Sequence, residues 1–155
     1  MIKFKFVSVL ALICLSLIFI PCSFAEPIEN IAVETKSMEN SDYMLLARII
    51  SAEARGEPYE GQVAVGAVIL NRIEHPSFPD TLAGVIYQPL AFSCVDDGQI
   101  NQPVADSAYN AATDALNGWD PTGGAIYYYN PITATSKWIL SRPIIKQIGR
   151  HVFCM

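Results

Sequence analysis

Ser51-Ala52-Glu53-Ala54-Arg55-Gly56-Glu57-Pro58 is the stretch where an apolar helical pattern ends on an acid and the chain is then forced to turn. Leu46, Ile49 and Ile50 precede Glu53 by seven, four and three residues, so on a helix they share its face. A carboxylate is therefore aligned with core residues. Withdrawing an ionised carboxylate from water costs several kcal/mol and pushes its pKa upward, the property a general acid needs. The spacing equally allows Glu53 to reach solvent past Ala52 and Ala54 and to pair with Arg48 or Arg55.

Upstream, Lys3 and Lys5, an apolar run from Val7 to Ile20, and the ending Ser23-Phe24-Ala25 read as a secretory signal peptide, residues 1–25. The run is short for a membrane span, and no later segment approaches 18 consecutive apolar residues. The expected product is exported, with no stable membrane anchor after cleavage near Ala25. Residues 26–40 are polar and aperiodic and read as a disordered tether. Ser41 then caps a helix that runs from Tyr43 to Ala54, opening the domain proper, residues 41–155.

The net charge is −5, and it becomes more negative when Lys3 and Lys5 leave with the leader. With no basic cluster, the chain is a poor partner for nucleic acid, whose phosphates require Lys and Arg. Cys94 and Cys154 remain after the leader is removed. An even pair in an exported protein suggests a disulfide, which would stabilise the domain by roughly 4 kcal/mol in the chain-entropy picture. Two independent buried thiols are the alternative. His75 sits in a rigid turn, His75-Pro76-Ser77-Phe78-Pro79, and neither it nor His151 has ligand spacing around it. No metal and no cofactor are implied.

Downstream, Pro58 suits the first turn of a second helix, in which Val63, Gly66, Ala67 and Leu70 form a narrow stripe facing the Glu53 helix. Asp80 is expected to cap a short helix from Thr81 to Tyr87. Gln88 to Pro103 reads as a long loop, of the kind that usually carries function. Val104 to Asn117 is a helix with small apolar residues on one face, closed by Asn117-Gly118. Ala125 to Tyr129 is an aromatic strand, and Ile144–Ile148 with His151–Cys154 flanks Gly149-Arg150 as a terminal hairpin. Helices come first and a small sheet last, so the class is α+β.

The blocks Ala52-Glu53-Ala54-Arg55-Gly56-Glu57-Pro58, Gly61-Gln62-Val63-Ala64-Val65, Val68-Ile69-Leu70-Asn71-Arg72, Asp97-Gly98-Gln99-Ile100, Tyr128-Tyr129-Asn130-Pro131 and Ile148-Gly149-Arg150-His151-Val152-Phe153 resemble spore cortex-lytic and related cell-wall hydrolases of the SleB/CwlJ type. The resemblance covers about Leu45 to Phe153. It implies a lysozyme-like, lytic-transglycosylase-related helical lobe with a small antiparallel β-sheet. It also implies one glutamate, by position Glu53, as both acid and base on peptidoglycan glycan strands, between N-acetylmuramic acid and N-acetylglucosamine. Spore-germination members of that family typically carry a separate wall-binding domain, where here only the 26–40 tether is read. Spore cortex and vegetative wall therefore both stay open as substrates.

Glycosidic cleavage needs an acid for the leaving oxygen, and a hydrolase adds a second carboxylate. A transglycosylase needs only one, because the deprotonated Glu can activate the sugar's own C6 hydroxyl to close a 1,6-anhydro ring. Glu57, Glu60, Asp96 and Asp97 are the candidate second acids. Glu57 could equally cap the second helix, and Asp97-Gly98 is first of all a turn. Gln62, Gln99, Tyr128 and Asn130 are candidate sugar contacts, with Tyr127 and Tyr129 expected on the opposite strand face and Trp119 and Trp138 as possible platforms. Glu57 and Asp97 join them as candidate substrate-binding residues. The alternatives to a transglycosylase are a two-carboxylate muramidase and a non-catalytic glycan-binding module.

Overall fold

The computed structural model describes residues 28–155. The leader therefore lies outside the described residues. Helix α1 spans Ile28–Glu53, and α2 spans Tyr59–Glu74. The short helices α3, Leu82–Ile86, and α4, Ser93–Asp96, lead through a 3-10 turn, Gln99–Asn101, to α5, Asp106–Leu116. Strand β1, Tyr127–Tyr129, and the short α6, Lys137–Leu140, precede the hairpin of β2, Ile144–Ile148, and β3, His151–Cys154.

Helix α1 corrects one expectation. Its backbone is helical back to Ile28, so Ser41 is an interior residue and most of the span read as a tether, from Ile28 to Asn40, is helix. Residues 28–40 contain neither Gly nor Pro and include Ala32, Glu34, Lys36, Met38 and Glu39, which are strong helix formers. A helix already nucleated by the packed half extends through such residues at little cost, and Ser37, Glu39 and Asn40 are exposed on it. Thr81, not Asp80, caps α3, its hydroxyl accepting from the Gly84 N–H. The long loop is partly structured by α4 and the 3-10 turn.

The principal core joins α1, α2, α3 and α5. Leu46, Ile49 and Ile50 are fully buried, as their shared face requires. Gly66 lies where α1 and α5 both approach α2: a β-carbon there would sit 2.8 Å from Ile50 Cδ1 and 3.2 Å from Ala115 Cβ. The small-residue stripe thus serves two neighbours, where the sequence pattern suggested one. Tyr59 on α2 donates to Asp114 on α5 at 2.6 Å, tying the same pair of helices at the surface.

The sheet has the order β1-β3-β2, all antiparallel, with β3 buried at its centre. A smaller core of Ala64, Val68, Ala125, Ile148 and Phe153 seats it on α2. Tyr128 packs against both cores, which places it at the junction of helices and sheet. Gly149 and Arg150 form the two-residue hairpin connection, Ile148 pairing with His151.

The expected disulfide is not formed. Cys94 and Cys154 are both free and buried, Cys94 on α4 within the main core and Cys154 at the end of β3. Each thiol is buried at its own place in the fold, as a small side chain packed in the interior.

Candidate active site

Glu53 is the last residue of α1, half-buried, at the point where the core face of the helix meets the sheet. The helix stops there because Gly56 adopts the left-handed conformation, φ +77°, and the Glu57 N–H turns back to the Ala54 carbonyl at 3.0 Å. The Tyr128 hydroxyl donates to Glu53 Oε2 at 2.9 Å. The Cys94 thiol also lies against this carboxylate, and its pKa is pushed up by burial first and by Glu53 second.

Glu57 comes one turn of sequence later and has a different environment. It is buried, and Arg150 clamps it twice: the guanidinium Nε donates to Oε1 at 2.7 Å and the backbone N–H to Oε2 at 2.9 Å. Burial alone would raise its pKa. The Arg150 hydrogen bonds and the charges of His151 and Arg150 outweigh burial and hold it below the ordinary carboxyl value. The fit is tight, since a β-carbon on Gly149 would fall 2.2 Å from Glu57 Oε2. Arg150 Nη2 further donates to the Arg55 carbonyl, bracing the turn that ends α1.

Tyr127 and Tyr128 have different ring neighbours along the strand, although both border one groove. Tyr128 pairs with Phe153 and packs its ring on His151 and Phe153, at centroid distances of 5.1 and 6.0 Å. Tyr127 stands against Phe78 and Trp138, at 5.8 and 5.0 Å, the latter edge-on. Phe78, Tyr127, Tyr128, Trp138, Pro89 and Ala91 border a groove of about 370 Å³, and the Tyr128 hydroxyl links one of its lining residues to Glu53. Such a groove offers apolar ring faces to sugars.

The remaining candidates divide. Gln62 donates to the Glu57 carbonyl at 3.2 Å and borders a small recess with Arg55, away from the aromatic groove. Asp97 and Gln99 are exposed and bond each other, through the Gln99 side chain at 2.7 Å and its N–H at 3.0 Å. Asn130 caps its own turn by accepting from the Ile132 N–H at 2.9 Å. Glu60 pairs with Lys146 at 2.9 Å on the surface, and Asp96 is exposed. Trp138 borders the groove, whereas Trp119 stacks near Tyr59 beside a separate cavity between α2 and α5. The structure thus joins Glu53 to Tyr128, pairs Glu57 with Arg150 and Glu60 with Lys146, and leaves Asp97, Gln99 and Asn130 in local contacts.

Three residues carry more than their sequence contexts suggested. Arg72 is buried, donates Nε to the Ile126 carbonyl at 2.7 Å and lies over the rings of Phe78, Phe92 and Tyr127. Burial pushes its pKa down, while Tyr128, Tyr127 and Glu53 hold it up. It fixes β1 to α2, and it could have been suspected because it follows the core residues Val68 and Ile69 at helical spacing. Arg150 is the second. His151 is the third: it is buried under Tyr128, and its Nδ1 has no hydrogen-bond partner among the described residues. Burial pulls its pKa below the ordinary value against the attraction of Glu57 and Glu53. Among the described residues no three His, Cys, Asp or Glu side chains converge on a metal site, and no helix is long and apolar enough to cross a membrane.

A helical lobe carrying a half-buried acid beside a small three-stranded antiparallel sheet and an aromatic groove defines a mainly helical α+β domain. Residues 56–154 match the family described as Cell Wall Hydrolase, and the chain belongs to that family. The spore cortex-lytic enzyme of Bacillus subtilis is 59% identical over 115 residues, which are 74% of this chain and 38% of that protein. The corresponding enzyme of Oceanobacillus iheyensis is 60% identical over 114 residues, 74% of this chain and 41% of its own length. This chain therefore spans about two fifths of those relatives. Cell wall hydrolase CwlJ of B. subtilis is 31% identical over 121 residues and is covered over 84% of its length. The crystal structure of the catalytic domain of the Bacillus cereus SleB protein superposes with a TM-score of 0.71 at 58% identity, covering 75% of this chain and 91% of that one. The catalytic domain of the germination-specific lytic transglycosylase SleB from Bacillus anthracis gives 0.70 at 58% identity, covering 74% and 93%.

Proposed function

We propose that this domain is a lytic transglycosylase that cuts peptidoglycan glycan strands between N-acetylmuramic acid and N-acetylglucosamine, with Glu53 as its single acid and base. The observation that carries the reading is the contrast between the two acids at the helix end. Glu53 accepts from the neutral hydroxyl of Tyr128, a residue that borders the groove, whereas Glu57 is committed to Arg150. The SleB catalytic domains at 58% identity support the same chemistry, and the spore cortex-lytic enzymes at 59–60% support spore cortex as the substrate.

In this mechanism protonated Glu53 gives its proton to the glycosidic oxygen as the C1–O bond breaks and the muramic ring passes through an oxocarbenium-like state. The resulting carboxylate then accepts the C6 hydroxyl proton while O6 attacks C1, closing the 1,6-anhydro ring. The proton count on Glu53 is restored with no water consumed. Export through residues 1–25, ending near Ala25, suits a substrate outside the cell membrane.

Mass spectrometry of products from purified cortex tests the reaction: 1,6-anhydromuramic ends are expected. Reducing ends would replace it with a two-carboxylate hydrolase, and binding without cleavage with a glycan-binding module. N-terminal sequencing of the exported protein should begin at Glu26.

A further inference from the structure

We propose that Tyr128 is a positioning residue that divides labour between the two oxygens of Glu53, occupying Oε2 so that Oε1 alone gives and then recovers the proton. This rests on the reading of Glu53 as acid and base. A phenol has one O–H to donate, and here it is directed at Oε2 at 2.9 Å. While Oε2 accepts that bond, a protonated Glu53 carries its own hydrogen on Oε1.

The geometry leaves Tyr128 little freedom to do otherwise. Its strand is paired to the central strand through Phe153, which is fully buried, and its ring is backed by His151 and Phe153. Burial first, and Glu53 next, push the phenol pKa well above its ordinary value, so it remains a donor throughout the working pH range. The other groups facing Glu53 are weaker competitors. Cys94 from α4 is a thiol, a poor donor. Arg72 from α2 has its Nε committed to Ile126. His151 from β3 lies against the Tyr128 ring, with Glu57 and Arg150 beside it.

The arrangement suits a reaction in which one group must donate a proton and then take one. In the first step the C1–O electrons pass to the leaving oxygen, which binds the proton from Oε1. In the second, O6 forms its bond to C1 and its proton returns to Oε1. Because Tyr128 holds Oε2 through both steps, the carboxylate need not rotate between them.

Tyr128→Phe keeps the ring and removes the donor. A hydrogen bond to a charged group is worth about 1.5–3 kcal/mol, so turnover should fall roughly ten- to a hundred-fold with little change in KM. Losing a donor to the carboxylate should also move the alkaline limb of the pH–rate profile upward by about one pH unit. A carbon-13 titration of the Glu53 carboxyl in the substrate-free domain should move in the same direction. Replacing Tyr128 by 3-fluorotyrosine, a more acidic donor of nearly the same shape, should move both downward and covers the case in which the Phe variant fails to fold. A Tyr128 with only a packing role would lower Tm and leave both titrations in place, which overturns the proposal. If the carboxyl titration moves and the rate limb does not, Glu53 is not the proton donor; the acid reading then falls and this inference with it, although the hydrogen bond stands.

Discussion

Glu53 and Glu57 are the same residue type, four positions apart, on either side of one tight turn, yet the fold gives them different surroundings. Glu53 ends a core helix and contacts a phenol and a thiol, both neutral. Glu57 meets a guanidinium and a backbone N–H from the far end of the chain. A carboxylate that is ion-paired and fully hydrogen-bonded is a poor proton carrier, because both its ionisation and its geometry are already fixed. On the proposed reading, the type of partner, charged or neutral, is what separates a structural acid from a chemical one.

The strongest way to break this contrast is Glu53→Gln. It keeps shape and folding while removing proton transfer, and cleavage of cortex should fall about a hundred- to ten-thousand-fold; wild-type-like release of muropeptides would end the assignment. Next is Gly149→Ala, which drives a methyl into the Glu57 carboxylate and Pro58 and imposes φ +57° on a residue with a side chain. Thermal and urea unfolding should show a loss of about 2–4 kcal/mol. Glu57→Gln leaves the space but weakens both Arg150 bonds. It should cost about 1–3 kcal/mol in the same assays and retain measurable cleavage, and a folded but inactive variant would instead make Glu57 a second catalytic acid.

The pH dependence of stability sharpens the same comparison. Glu57 has a folded pKa below its ordinary 4.5, so its contribution is complete above that value and is lost as pH falls through the lower folded value. His151 has a folded pKa below its ordinary 6.5, so the unfolded chain binds more protons there and stability again declines with acid, starting at a higher pH. Tm should therefore fall in two stages on acidification, and His151→Phe should remove the upper stage and move the lower one toward the ordinary carboxyl value. The smallest effect belongs to Asp97→Asn: its partner is the neighbouring Gln99 at the surface, and cleavage should stay within about twofold of the parent.

Local signals in the sequence were enough for much of this. Leu46, Ile49 and Ile50 placed Glu53 on a buried helix face, Gly56 and Pro58 ended that helix, and Gly149-Arg150 between apolar runs marked the hairpin. The features that were not legible depend on distant pairings. The commitment of Glu57 to Arg150 spans 93 residues, and nothing near either end announces it. Tyr128 was legible as a strand residue with an uncertain face, and only the packing of the sheet on α2 turns its hydroxyl to Glu53. The helix from Ile28 to Asn40 was missed because its polar residues have no period to read, although none of them breaks a helix. The cysteines misled because pairing was inferred from number and compartment, whereas burial in separate places decides it.

Those two unlinked thiols give the domain internal clocks. Cys94 lies in the helical core beside Glu53, and Cys154 lies in the central strand of the sheet. A thiol reagent can reach either one only when its surroundings open, so the labelling rate of each measures how often that half of the molecule breathes. Single-cysteine variants would show whether the helical core around Cys94 and the sheet loosen together as one cooperative unit or on separate timescales.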